Sequence, residues 1–305
     1  MTGADFVPFS LTPLLIGCLA ALCCAIPGNF LLLRRQALLG DAISHVVLPG
    51  IVAAFLVTGV VSAWPMMIGA ALAALVAVAA IEAIQRLGRI EPGAAMGVVF
   101  TTMFALGVLA LERSDTSNVH LDVEHALMGN LEGLIWLDAT GWSSLLDPGA
   151  LAALPPELTR LAVVGLVVTG LTWLFWRPLA MSTFDEGYAR GFGIPVSALG
   201  LGLVIVSALA AVAAFDAVGS IIVIAMFVCP PATARLLTNR LGLQVALSAL
   251  VAVASAILGY VLAGYGPLWL GYSTSVSAAG MIATVSGAFL ALAACFGPHR
   301  HPLGA

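Results

Sequence analysis

Long apolar runs, each close to the length that crosses a bilayer, alternate along the chain with short clusters of Gly, Pro and charged residues. A helical span needs about 20 apolar residues. The pattern predicts eight or nine such spans, near 9–33, 38–60, 64–85, 94–111, 160–177, 196–214, 219–236, 243–263 and 275–295. The stretch 126–146 is only half apolar and holds Gly129, Asn130, Glu132, Gly133 and Asp138, which predicts a short helix at the surface rather than a lipid-exposed span. No internal period or soluble module stands out, so the expected organisation is one all-α polytopic membrane domain over 1–305. Small residues recur imperfectly at four-residue intervals, as along Gly200, Val204 and Ala208, in keeping with a compact helical bundle.

Composition agrees with that class and excludes a soluble one. Of 305 residues, 61% are hydrophobic and 9% charged, with a mean hydropathy of +1.11, where soluble domains carry roughly 25% charged residues. The net charge of -4 says little about partners, but the placement of charge predicts topology. The chain has no lysine. Arg34, Arg35, Arg86, Arg89, Arg177, Arg190, Arg235, Arg240 and Arg300 fall on alternate connections, which the positive-inside rule assigns to the cytoplasm. Only Arg113 and Arg160 dissent. They flank the 112–157 connection, whose eight acids (Glu112, Asp115, Asp122, Glu124, Glu132, Asp138, Asp147, Glu157) mark it as extracytoplasmic. Met1 to Pro13 lacks any Lys or Arg, so the first apolar stretch reads as a retained span, not a cleaved signal. The five cysteines, Cys18, Cys23, Cys24, Cys229 and Cys295, lie in apolar stretches without metal-ligand spacing and read as small buried hydrophobes.

Four constellations carry candidate chemistry. Asp41 and His45 lie four residues apart in a predicted span, so a helix puts both on one face. Ionisable residues at bilayer depth are expensive and point to function. A carboxylate and an imidazole suit Zn²⁺, Mn²⁺ or Fe²⁺ better than Ca²⁺, and two ligands suit a transient site on a conduction path. The alternative is structural, with Asp41 capping a helix after Gly40 and His45 bonded to a neighbouring span. The segment 182–193 predicts a short polar helix on the cytoplasmic side, capped by Ser182 or Thr183, with Asp185 and Glu186 at its start, Ala189 and Arg190 within it and Gly191 near its end. An isolated helix this short is marginal in water, which implies a docking partner. Asp216 leads into a span holding Pro230 and Pro231, where broken backbone hydrogen bonding fits a central, pathway-lining helix or a simple kink. His120, Asp122 and His125, with Glu124, form a weak metal candidate on the outward connection that also reads as solvated charge. The tail His299–Arg300–His301 lacks neighbouring partners. With no lysine the chain cannot form the usual Walker A loop, so any ATP is hydrolysed by another subunit.

Taken together, Leu33–Arg34–Arg35, Gly40–Asp41–Ala42–Ile43–Ser44–His45, Leu48–Pro49–Gly50, the Asp185–Gly193 segment and the Pro-containing Val218–Leu237 span resemble the integral-membrane permeases of ATP-binding-cassette importers for manganese, zinc and iron. The resemblance covers nearly the whole chain. It implies a fold similar to that of cobalamin and siderophore permeases, a metal path at Asp41 and His45, and a coupling helix at 182–193 contacting an ATPase. It also implies two ATPase subunits, an extracytoplasmic metal-binding protein and a second permease copy, identical or not. The Pro230–Pro231 pair and the absence of lysine depart from the family pattern.

The resulting expectation is a non-enzymatic permease of the bacterial plasma membrane, without a permanent cofactor and without nucleic-acid partners, that moves Mn²⁺, Zn²⁺ or Fe²⁺ inward by alternating access. The rivals are a stand-alone proton-coupled metal transporter using Asp41 or Asp216, and a siderophore or cobalamin permease.

Overall fold

The computed structural model describes residues 6–36, 38–59, 63–113, 129, 131–139, 141–269, 271 and 276–298, and among these every regular element is helical. A π-helical turn over Val7–Leu11 runs into α1 (Thr12–Leu33), followed by α2 (Leu38–Thr58), α3 (Ala63–Gly88) and α4 (Pro92–Arg113). The 112–157 connection holds two 3-10 turns, Leu131–Gly133 and Trp142–Leu146, and the short α5 (Pro148–Ala152). Then come α6 (Pro156–Leu174), α7 (Trp176–Phe184), α8 (Glu186–Gly191), α9 (Val196–Val218), α10 (Ser220–Leu237), α11 (Leu241–Trp269) and α12 (Ala278–Phe296). Eight described helical segments are long and apolar enough to cross a membrane. The remaining long helix is α2, which carries Asp41 and His45. Each predicted span thus finds a helix, displaced by a few residues at its ends.

Helix α1 is the axis of the bundle, packed against α6, α9, α10 and α11, while α2, α3 and α4 pack on one another beside α9. The closeness of this packing is a matter of missing side chains. A Cβ on Gly28 would sit 2.5 Å from the Phe227 carbonyl oxygen, so α1 and α10 meet backbone to backbone. The two prolines of α10 lie within one helix that runs from Ser220 to Leu237. Pro231 has no N–H to offer the carbonyl four residues back, that of Phe227, and this is the oxygen that Gly28 covers. The chain breaks instead at Gly219, whose φ of 78° and ψ of 173° reverse it between α9 and α10 in a region open to glycine alone.

Two buried amides meet between α1 and α11. The Gln244 amide of α11 donates to Asn29 Oδ1 of α1 at 3.1 Å, and Asn29 donates in turn to the Ala25 carbonyl at 2.7 Å. The described residues of 126–146 form two 3-10 turns, not the short surface helix expected. Trp136 is buried, donating from its indole to the Ala150 carbonyl at 2.8 Å and from its backbone to Pro8 at 2.8 Å, and Glu132 accepts from the Ala278 N–H at 2.6 Å to cap α12. The turns thus form a lid over the first residues of α1 and α12. Of the cysteines, Cys23 and Cys24 are buried but Cys295 is exposed, against the reading that all five are interior.

Candidate functional site

His45 projects from α2 toward α4, between two aromatic rings. It stacks on Phe100 with centroids 5.4 Å apart and planes inclined by 17°, and meets Phe104 edge-on at 5.6 Å and 80°. The two contacts fix the plane of the imidazole. Asp41 stands one helical turn earlier on the backbone of α2, and its side chain lies outside the described residues. Gly40, immediately before it, packs so tightly on α10 that a Cβ there would be 2.7 Å from Phe227 Cγ. The segment carrying the pair therefore touches both α4 and α10. Phe100 and Phe104 carried no signal in the sequence beyond ordinary apolar spacing.

Asp216 sits near the end of α9, at the opposite end of the bundle from Arg34. Arg160, at the start of α6, donates to Asp216 Oδ2 at 2.7 Å and to Glu157 Oε1 at 2.8 Å, and its Nη1 lies 3.6 Å from Met67 Sδ. This corrects the picture of Arg160 as a mere exception to the charge pattern. It is the centre of a three-helix junction, and Asp216 is a paired anion rather than a bare carboxylate. Pro230 and Pro231 are buried within α10.

At the arginine-rich end, the segment expected as one helix over 182–193 is two. Ser182 and Thr183 belong to the last turn of α7, the chain extends at Asp185 (φ -148°, ψ 99°), and α8 covers only Glu186–Gly191. The cap is Asp185, whose Oδ1 accepts from the Tyr188 N–H at 2.8 Å, not Ser182 or Thr183 as expected. Glu186 and Arg190 pair across one turn at 2.8 Å. Ala189 is fully buried against the bundle, so it anchors α8 instead of facing outward. The exposed face is aromatic: Phe184, Tyr188 and Phe192 all stand out from the surface, with the last two rings 4.8 Å apart. Their four-residue spacing in a polar stretch was a legible signal that the charge pattern masked.

The hydroxyls of Ser182 and Thr183 have a different use. Arg34, the residue that ends α1, donates from Nη2 to Ser182 Oγ at 2.7 Å and from Nε to Thr183 Oγ1 at 3.1 Å. Burial pulls the Arg34 guanidinium down from its usual range, and the nearby Glu186 carboxylate opposes that shift. Arg34, Gln36, Glu82, Gln85, Glu186 and Arg190 line a polar cavity of about 220 Å³ between the ends of α1 and α3, the start of α9 and α8. His120, Asp122 and His125, and likewise His299 and His301, lie outside the described residues. Among the described residues no group of three His, Cys, Asp or Glu is arranged to hold a metal.

Comparison with known proteins matches residues 7–138 and 149–297 to the ABC 3 transport family. The chain is 39% identical to the manganese transport system membrane protein MntD of Bacillus subtilis (strain 168), over 92% of this chain and 90% of that protein. It is 35% identical to the zinc transport system membrane protein TroD of Treponema pallidum (strain Nichols), over 93% of this chain and 73% of that protein. Among solved structures, a chain of PsaBC from Streptococcus pneumoniae in complex with Fab superposes with a TM-score of 0.75 at 27% identity, covering 97% of this chain and 94% of that one.

Proposed function

The chain belongs to the ABC 3 transport family, and from that premise we propose that it carries divalent transition metal ions, Mn²⁺ or Zn²⁺ foremost and Fe²⁺ besides, along a path that passes Asp41 and His45. It is a multi-pass permease of the bacterial plasma membrane. The observation that carries the path is His45, oriented by Phe100 and Phe104 inside the bundle and one turn from a carboxylate residue on the same helix. A pair of ligands with borderline donor chemistry holds such an ion briefly and releases it.

In this reading the arginine-rich end is cytoplasmic and the end holding Arg160 and Asp216 faces outward. ATP is hydrolysed by separate ATPase subunits that dock on α8, where Asp185 caps the helix, Glu186 and Arg190 pair and Gly191 ends it. Phe184, Tyr188 and Phe192 supply the apolar anchors of that docking surface. A second permease copy completes the pore unit, and an extracytoplasmic binding protein delivers the metal to the lid of residues 131–152. Of the two carboxylates the proton-coupled rival would use, Asp41 or Asp216, the second is paired with Arg160, which counts against it.

The test is Mn²⁺ and Zn²⁺ accumulation in cells that express the permease with its ATPase and binding protein. Asp41→Asn and His45→Ala should each abolish uptake while the complex still assembles. Uptake at the unmutated level in both variants would remove the pair from the path.

A further inference from the structure

We propose that Arg34 is the mechanical joint of the transporter: its guanidinium fork fixes the α7–α8 segment to the end of α1, so that movement of α8 is passed to the axis of the bundle. This rests on the reading of α8 as the ATPase docking element. Arg34 caps α1 directly, its N–H bonded to the Phe30 carbonyl at 3.0 Å, so no flexible linker separates the fork from the helix. The acceptors on the other side are equally fixed. Ser182 and Thr183 donate their own hydroxyl protons to the Leu179 carbonyl at 3.2 and 2.6 Å, which leaves their oxygens turned to receive Arg34. Two N–H donors of one planar group on two adjacent hydroxyls set a direction as well as a distance, which a single ammonium cannot do.

From this joint the contacts continue to the candidate metal site without a gap. Asp185 links α8 to Thr183 through one extended residue. Six residues before Arg34, Gly28 lies against the Phe227 carbonyl of α10, and the ring of Phe227 covers Gly40, the residue before Asp41. Contact alone is not coupling, which requires an element with two arrangements. Arg34 has the means for them. It shares a polar cavity with Glu186 of α8, so a displaced α8 offers the fork a carboxylate in exchange for the two hydroxyls. Gly200 borders the same space, where even a Cβ would make only ordinary contact, 3.4 Å, with Arg34 Nη1. Arg34 is thus a positioning residue: it touches no metal, and its effect falls on work done per ATP.

The experiment uses the whole complex, permease with its ATPase and binding protein in proteoliposomes, with Mn²⁺ uptake and ATP hydrolysis measured in the same vesicles. Arg34→Ala should lower the Mn²⁺ moved per ATP on the order of tenfold, inside the usual range for coupling between sites, while the ATPase still co-purifies. Ser182→Ala with Thr183→Val removes the acceptors from the other side and should give the same loss, which also covers the case in which Arg34→Ala fails to fold. Combining all three changes should add nothing further, and Arg34→Lys should not restore the ratio. An unchanged ratio in either single-sided variant, additive losses in the combination, or full rescue by lysine would each overturn the joint. If the unmutated complex moves Mn²⁺ with no dependence on ATP, it is the importer reading that fails, and the two failures are told apart.

Discussion

Two arginines hold the two ends of this bundle, and they do so with opposite chemistry. Arg160 grips carboxylates, Asp216 and Glu157, where α6, α9 and α3 converge. Arg34 grips neutral hydroxyls of Ser182 and Thr183 where α1 meets α7. A charged pair, once broken, leaves an anion without its partner; a broken bond to a hydroxyl leaves a group that still donates to its own helix. The contrast separates a clamp from a hinge. The end bound by charge resists opening, and the end bound by dipoles can exchange partners at small cost.

That contrast orders the expected outcomes. Arg160→Ala should cause the largest loss of stability, about 2 kcal/mol, typical of a charged hydrogen bond removed from a partly buried partner. The side chains of Arg160 and Asp216 are 19% and 40% exposed, which keeps the loss below that of a fully buried pair. Thermal unfolding of the purified permease checks it, and a melting temperature equal to that of the unmutated chain would make the clamp a surface ornament. Next comes Tyr188→Ala, which should weaken ATPase binding about tenfold, as expected for an aromatic anchor. Titration of purified ATPase onto the nanodisc-embedded permease measures this, and full affinity would shift the docking surface away from the aromatic face.

Smaller still is the stability cost of Arg34→Ala, under about 1 kcal/mol because Ser182 and Thr183 keep their bonds to Leu179. The same melting assay should therefore rank it well below Arg160→Ala, and the reverse order would erase the distinction between clamp and hinge. At the bottom stands Glu186→Gln. The Glu186–Arg190 pair is 62% and 64% exposed, so its contribution should be about 0.3–0.5 kcal/mol and vanish at high salt. Melts at low and high ionic strength decide this.

The sequence made the spans legible because the bilayer imposes one length and one composition on every crossing helix. The Asp41/His45 pair was legible for the same reason, since polarity at that depth stands out against its surroundings. What stayed hidden is what depends on pairs distant in the chain. Arg34 meets Thr183 across 149 positions, and nothing near Arg34 distinguishes a joint from an ordinary positive-inside arginine. Pro231 leaves the Phe227 carbonyl without its usual donor, as the sequence implied, but that this oxygen lies against Gly28 of α1 was not legible. The exposed aromatics at 184, 188 and 192 were present in the sequence, but the acids and arginine among them drew the reading toward charge. The same bias hid Arg160, whose departure from the topology rule was the visible trace of its ion pairs.

The hydrogen bond between Asn29 and Gln244 bears on how such a chain is made. Its partners are 215 residues apart, one in the first long helix and the other in the last but one. At the usual pace of synthesis, 215 residues take roughly 10–40 s to emerge. Throughout that interval the first helix sits in the membrane with an amide whose final partner has not been translated, and the later helices that pack beside it are still on the ribosome. Biogenesis of this protein is therefore closed from its far end. The axis is laid down first and completed last, and a chain cut short before Gln244 lacks the donor from which Asn29 Oδ1 accepts in the complete bundle.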